Sequence, residues 1–453
     1  MNPDEQRSLA FSLARSPGAD MITRRPITRS AVAGSRFRNS RGHGCAVAVL
    51  FAMAILLGQA AAAQDLSVTL SLNQEEYRQA DTVVLTYKLT NNSSQTVNVL
   101  TWNTPLEGMI GDPFIVTLEG TTQERAYLGT LALRNPPVAQ NWKAIPAGQS
   151  VSATVQLSQE YDLTAAGTYE IRLRRGLFHV ARGASPPTKL KRLIAVDTPA
   201  NTLRLKMLDA GAPSTPRVKA PSPGKAGVVV PPTFNACSVD QQSDLNSAFT
   251  SMAAGSSKVA TAISNWSCTD YDNSNPAKTF FGAACSPQLL AQMKYVTSTA
   301  SGYANGSIAT QFDCSQANSC AAQPSACSTN GVIAFTCLGQ QFPIYICSPF
   351  WGYAKPPAKD INAQDGLLYH ETTHWTGTRD YAYWCPDCLA LATNNPTQAQ
   401  NNADSYRLFG LSIYDSIDNI CGVKHLIYLP FVVFAIFFVR RISRRRGAER
   451  GAE

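Results

Sequence analysis

From residue 66 to about 206, apolar and polar positions alternate in short runs: LSVTLSL, DTVVLTYKLT, QTVNVLTW, FIVTLEG, SVSATVQL, TYEIRLR and KRLIAVD. A period of two gives each run one face for a core and one for water, and turn residues separate the runs. Seven such strands predict an immunoglobulin-like β-sandwich over 64–206. Leu163, Gly167 and Tyr169 have the order of a tyrosine corner, or of a plain loop entering an edge strand. The stretch 207–233 is rich in Pro, Gly, Ala and Ser and reads as an extended linker. Beyond it the spacing becomes helical, as in SDLNSAFTSMAAGSSKVATAISNW and SPQLLAQMKYVTSTASGYA. The expectation is an α+β chain with a mainly helical second domain over 234–422.

Two apolar runs fall outside these domains. Residues 46–57, AVAVLFAMAILL, follow Arg36, Arg38 and Arg41 and precede Ala61 and Ala63, the order of a secretory signal within a leader spanning 1–63. Residues 426–439 are apolar and run into Arg440, Arg441, Arg444, Arg445 and Arg446. They are shorter than the ~20 residues of a usual spanning helix. Snorkelling basic side chains could extend their reach. Segment 423–453 is therefore open to three readings: a membrane anchor, a sorting signal removed after export, or a buried helix.

Charge sharpens this division. The chain carries a formal +8, but residues 1–63 hold 8 Arg against 3 acids and residues 423–453 hold 7 bases against 2 acids. The basicity belongs to the ends, which argues against a nucleic-acid partner. Residues 64–206 carry 14 bases and 12 acids, and residues 232–422 carry 7 and 13, so a weakly positive region precedes a negative one. Eleven of the 12 cysteines lie between Cys237 and Cys421. That density after an export signal predicts disulfides in an extracytoplasmic, oxidising compartment, with at least one cysteine left over.

The sharpest chemical signal is His370, Glu371, Thr372, Thr373, His374. On a helix, positions i and i+4 share a face, so both imidazoles can reach one zinc while Glu371 addresses a water. The composition gives this pattern by chance with a probability of about 0.001. Catalytic zinc takes three protein ligands and keeps a position open. No glutamate stands between Glu371 and Glu449, so the third ligand is an aspartate or a cysteine. Asp380 follows Gly377, where the chain can reverse; Cys385 and Cys388 compete with it. The WCPDC motif around them imitates a redox pair, although an ordinary structural disulfide suits an exported chain better.

HExxH followed by Gly377, Thr378, Arg379, Asp380, Tyr381, Ala382 and Tyr383 resembles the deuterolysin-type metallopeptidases, or aspzincins, whose second motif is GTxDxxYG; Trp384 stands where the final glycine is expected. The similarity is nearest to the peptidyl-Lys endopeptidase branch and runs from about Asn235 to Phe409, through FNACS, FDC, YICSPFW and NADSY. The resemblance implies a disulfide-rich zincin-type catalytic domain with Zn2+ on His370, His374 and Asp380. It further implies Glu371 as general base, Tyr383 as donor to the charged oxygen, a Cys237 to Cys314 disulfide, and Cys347 paired within 320–337. In lysine-specific relatives an acid at the place of Asp404, helped by a second acid, takes the residue after the cut. Here Arg407 occupies the second place and would repel a lysine ammonium.

Together these features predict a secreted or surface-anchored zinc metalloendopeptidase made as a proenzyme, with a preference for lysine after the cut that Arg407 weakens. The β-sandwich would be a prodomain docked on the catalytic domain, with protein or peptide substrates and with Asp404 and Arg407 in the substrate site. The rivals are a surface-anchored binding protein with a degenerate peptidase domain, and a zinc amidase acting on cell-wall peptides.

Overall fold

Leu66, Val68 and Leu70 turn inward and the residues between them outward, so the first run forms strand β1 (Leu66–Leu72) as its alternation requires. The computed structural model describes residues 65–208 and 230–422, apart from short gaps at 80, 188–189, 191, 283, 306–309, 321–324, 340–342 and 415–419. The leader, most of the linker and the tail from 423, with the signal and anchor readings placed on them, lie outside the described residues. Among the described residues no helix is long and apolar enough to cross a membrane.

The first region continues through β2 (Glu76–Arg78), β3 (Val84–Asn91), β4 (Val97–Leu100), β5 (Phe114–Leu118), β6 (Thr130–Arg134), β7 (Trp142–Ile145), β8 (Ser150–Gln156), β9 (Gly167–Leu173), β10 (Val180–Arg182) and β11 (Leu203–Leu208). One sheet has the order β1-β3-β8, a second β2-β11-β9-β5 and a third β10-β4-β7. The first two enclose one core that includes Val68, Tyr87, Val116, Ile171 and Leu205. Tyr169 donates to the Ala165 carbonyl at 2.7 Å, the tyrosine-corner bond, and Gly167 enters it at φ +135°. KRLIAVD is not a strand. Ile194 is exposed, the Leu193 amide donates to Asp387 of the second region, and β11 takes the place expected for this run. Its apolar residues follow a crossing between regions, not a sheet.

The second region contains β12 (Thr233–Asn235), β13 (Gln311–Asp313), β14 (Val332–Cys337) and β15 (Pro343–Ile346). Its longer helices are α1 (Val239–Ser264), α2 (Pro287–Ala304), α3 (Gln364–His374), α4 (Trp384–Asn394) and α5 (Ala403–Tyr414), with shorter ones at Cys268–Asn273, Asn275–Phe281 and Pro396–Ala399. Ser238 and Ser286 cap α1 and α2 by accepting from Gln241 and Leu289 amides. Disulfides join Cys237 to Cys314, Cys268 to Cys285, Cys320 to Cys337, Cys327 to Cys347 and Cys385 to Cys421, while Cys388 is buried and unbonded. The WCPDC cysteines therefore do not pair with each other.

The sheet of this region has the order β12-β13-β15-β14-β6, so its outermost strand belongs to the first region. The aromatic side chains of Trp102, Trp142 and Phe178 follow it into the helical core. The contact between regions is thus a shared sheet and a shared apolar core; the opposite net charges of the two regions are not what builds it.

Candidate metal centre

All eleven residues of α3 are buried, which brings His370 and His374 inside the protein one turn apart. The chain then reverses at Gly377, whose φ of +101° favours glycine, and its amide closes on the His374 carbonyl at 2.9 Å. The following loop is pinned to the start of α5. Asn402 accepts from the Tyr381 and Ala382 amides at 2.8 and 3.0 Å, and Arg379 exchanges backbone bonds with Asn401 and Ala403. This delivers Asp380 to the two rings.

The distances are those of a ligand cage. His370 Nε2 and His374 Nε2 lie 3.2 Å apart, and Asp380 Oδ1 is 3.2 Å from the first and 3.4 Å from the second. Ligands about 2.0–2.1 Å from a tetrahedral zinc stand about 3.3 Å from one another. The other ring nitrogens have partners: His370 Nδ1 donates to Asp404 Oδ1 at 3.1 Å and His374 Nδ1 to the Thr378 carbonyl at 3.2 Å. That leaves two lone pairs and the otherwise unpartnered Asp380 Oδ1 converging, a set that a cation satisfies. Cys385 is bound in its disulfide, and Cys388 lies against Asp404, outside the three-residue cluster.

Electrostatics follow from burial and neighbours. Burial disfavours a charge on His370, but Asp404 and Asp380 outweigh it and push the ring up to about 10 in the metal-free protein. Burial alone dominates at His374, lowered to about 4. Glu371 is raised to about 8, chiefly by burial, against the pull of His370; its Oε2 has no partner.

Asp404 and Arg407, expected in the substrate site, are fully buried. The Asp404 carboxylate faces His370, takes Arg407 through both oxygens, and accepts from the Trp384 amide. Arg407 also donates to the Ile361 carbonyl and stacks over the Trp384 ring. Trp384, at the expected glycine, has φ +62°, a conformation costly for any residue with a Cβ. Its indole donates to the Arg134 carbonyl at 2.6 Å, so a contact from the first region holds it.

That region supplies groups the motifs did not disclose. Asn103 and Arg175 donate to the Asp380 carbonyl at 3.0 and 3.3 Å, and Asp112 accepts from Arg379 at 2.7 Å. Tyr383 donates to the Ala132 carbonyl at 3.0 Å and its ring packs against Trp102 and Phe178. The spacing of residues along β6 carries no mark of these contacts.

Residues 267–411 match the family model described as lysine-specific metallo-endopeptidase, of the aspzincin type. The chain carries an aspzincin-type zinc metalloendopeptidase domain. Among its relatives is the peptidyl-Lys metalloendopeptidase of Grifola frondosa, 28% identical over 335 residues, covering 71% of this chain and 85% of that protein. An extracellular protease of Aeromonas hydrophila is 26% identical over 339 residues, covering 73% and 88%. Both alignments are too long for residues 234–422 alone, so they extend into the β-region. A solved zinc peptidase from Grifola frondosa is 24% identical, covers 39% of this chain and 97% of its own, and superposes with a TM-score of 0.32.

Proposed function

We propose that His370, His374 and Asp380 hold the catalytic zinc of an exported endopeptidase, with the β-region, read as an immunoglobulin-like sandwich, as the prodomain. Zinc bound there would polarise a scissile carbonyl and bring the pKa of a water toward ~7. Glu371, one residue from a ligand and with a free oxygen, takes the proton of the attacking water and delivers it to the leaving amine. The Tyr383 phenol donates to the carbonyl oxygen as charge gathers on it. Asp404 acts through His370: it fixes the ring so that Nε2 faces the metal, and Arg407 balances the buried carboxylate.

The observation that carries this reading is the convergence of three acceptor atoms whose neighbouring donors are all engaged elsewhere. The groups that β6 places against Glu371, Asp380 and Tyr383 favour a covered proenzyme, and cleavage in the linker, at Arg217, Lys219 or Lys225, would release the cover. Five disulfides suit an oxidising compartment outside the cytoplasm. The test is hydrolysis of a peptide mixture with and without chelator, alongside Glu371→Gln. A peptidase loses its activity in both cases, while a binding protein keeps its binding. N-terminal sequencing of the secreted active form decides the prodomain: a start beyond the linker is expected, and a fully active form starting near Gln64 overturns it.

A further inference from the structure

We infer that strand β6 lies in the catalytic cleft as a bound peptide would, with the Ala132–Leu133 bond at the catalytic groups, and that the cleft takes an apolar side chain immediately after the cut. The inference rests on the roles proposed for Glu371 and Tyr383. Its ground is the pairing of one peptide bond with both of them. The carbonyl oxygen of Ala132 accepts from Tyr383 at 3.0 Å, and the amide of the same bond, on Leu133, donates to Glu371 Oε1 at 3.3 Å. Those are the places of the oxygen that gains charge and of the amine that leaves. The preceding amide, on Ala132, donates to Asp380 Oδ2 at 3.2 Å.

The strand's direction fits the same role. β6 runs antiparallel to β14, pairing Ala132 with Phe335 and Leu133 with Ala334, and without it β14 would be the outer strand of its sheet. An extended peptide added to a sheet edge gains affinity from its main chain and specificity from the seats of its side chains. β6 is not free to leave as a short peptide could. Gly111 donates to the Thr130 carbonyl at 2.7 Å, and the amides of Leu338 and Gly339 donate to the carbonyls just before the strand.

The seat after the bond holds Leu133, which is fully buried in the apolar cluster of the second region, together with Ile333, Phe350 and Leu367. A lysine ammonium there would need a carboxylate. Among the described residues, the acid that touches a metal ligand besides Asp380 itself is Asp404, and both its oxygens are bound to Arg407. A buried cation without a partner is costly, whereas leucine gains from burial. The residue after Leu133, Arg134, pairs with Glu107 of its own region and also lies beside the Tyr383 phenol, so its guanidinium is not in the seat immediately after the cut.

The experiment uses the secreted active enzyme and two synthetic peptides spanning residues 129–135, one of the natural sequence GTLALRN and one carrying L133K, with products read by mass spectrometry. The natural peptide is expected to be cut between its Ala and Leu, at a rate about tenfold or more above that of the L133K peptide. Equal or faster cleavage of the L133K peptide, or cutting of the natural peptide at another bond, overturns the inference while leaving the peptidase reading in place. If neither peptide nor a mixed peptide library is cut in a chelator-sensitive way, the peptidase reading itself fails and the inference falls with it.

Discussion

The two halves of the metal centre are held in opposite ways. Helix α3 carries His370, Glu371 and His374 in the core of the second region, and its ring partners, Asp404 and the Thr378 carbonyl, belong to that region too. The loop that brings Asp380 and Tyr383 is gripped from the first region by Asn103, Asp112, Ala132 and Arg175. The difference teaches that covering and assembly of this site are coupled on one side only. Releasing the β-region would remove partners of the loop and the Leu133 amide from Glu371, while the partners of both rings on the histidine helix would stay.

The largest effect should come from the helix. Glu371→Gln is expected to lower kcat by about 10²- to 10⁴-fold while the protein keeps one zinc, as measured by peptide hydrolysis together with metal analysis. Next comes the partner of the helix ligand. Asp404→Asn should weaken zinc binding by about 10–100-fold in chelator competition, since it loosens the ring's hold on its tautomer. Such titrations carry a pH signature as well. In the metal-free protein the His370 ring is pushed up to about 10, so zinc must displace its proton. Affinity in the wild type should rise by about tenfold per pH unit below that value, and a flat profile would show that no proton is exchanged.

Effects on the loop should be smaller and should appear as stability. Arg175 donates to the Asp380 and Tyr381 carbonyls and lies over the Phe178 ring. Arg175→Ala in the full chain should cost about 1–3 kcal/mol in denaturant unfolding with zinc content unchanged. The smallest contrast is at Trp384. Trp384→Gly and Trp384→Ala both lose the bond to Arg134, but only glycine accepts φ +62° freely. The glycine variant should be the more stable of the two by about 1 kcal/mol.

Much of this centre was legible because its chemistry is local in sequence. The two histidines sit one turn apart, and Gly377 marks the reversal before Asp380, so spacing brought these three candidate ligands together, with Cys385 and Cys388 still competing for the third place. The role of Asp404 was not legible in the same way. Its residue type suited a pocket, and only the fold turns its carboxylate toward His370 and Arg407. Strand β6 was missed because five residues, TLALR, are too short to show a period, and their partner strand lies some two hundred residues on. Helix α3 has no apolar stripe for a related reason: every face of it is buried, so polar and apolar residues are needed all round. KRLIAVD misled because an apolar crossing between two packed regions alternates much as a strand does.

The central claim is that one zinc is gripped by His370, His374 and Asp380. Anomalous X-ray scattering at the zinc absorption edge, from crystals of the full chain, tests it most directly. The account predicts a single strong peak about 2.1 Å from His370 Nε2, His374 Nε2 and Asp380 Oδ1. A zinc-replete crystal with no peak there, or with the metal bound away from the Asp380 carboxylate, would contradict it.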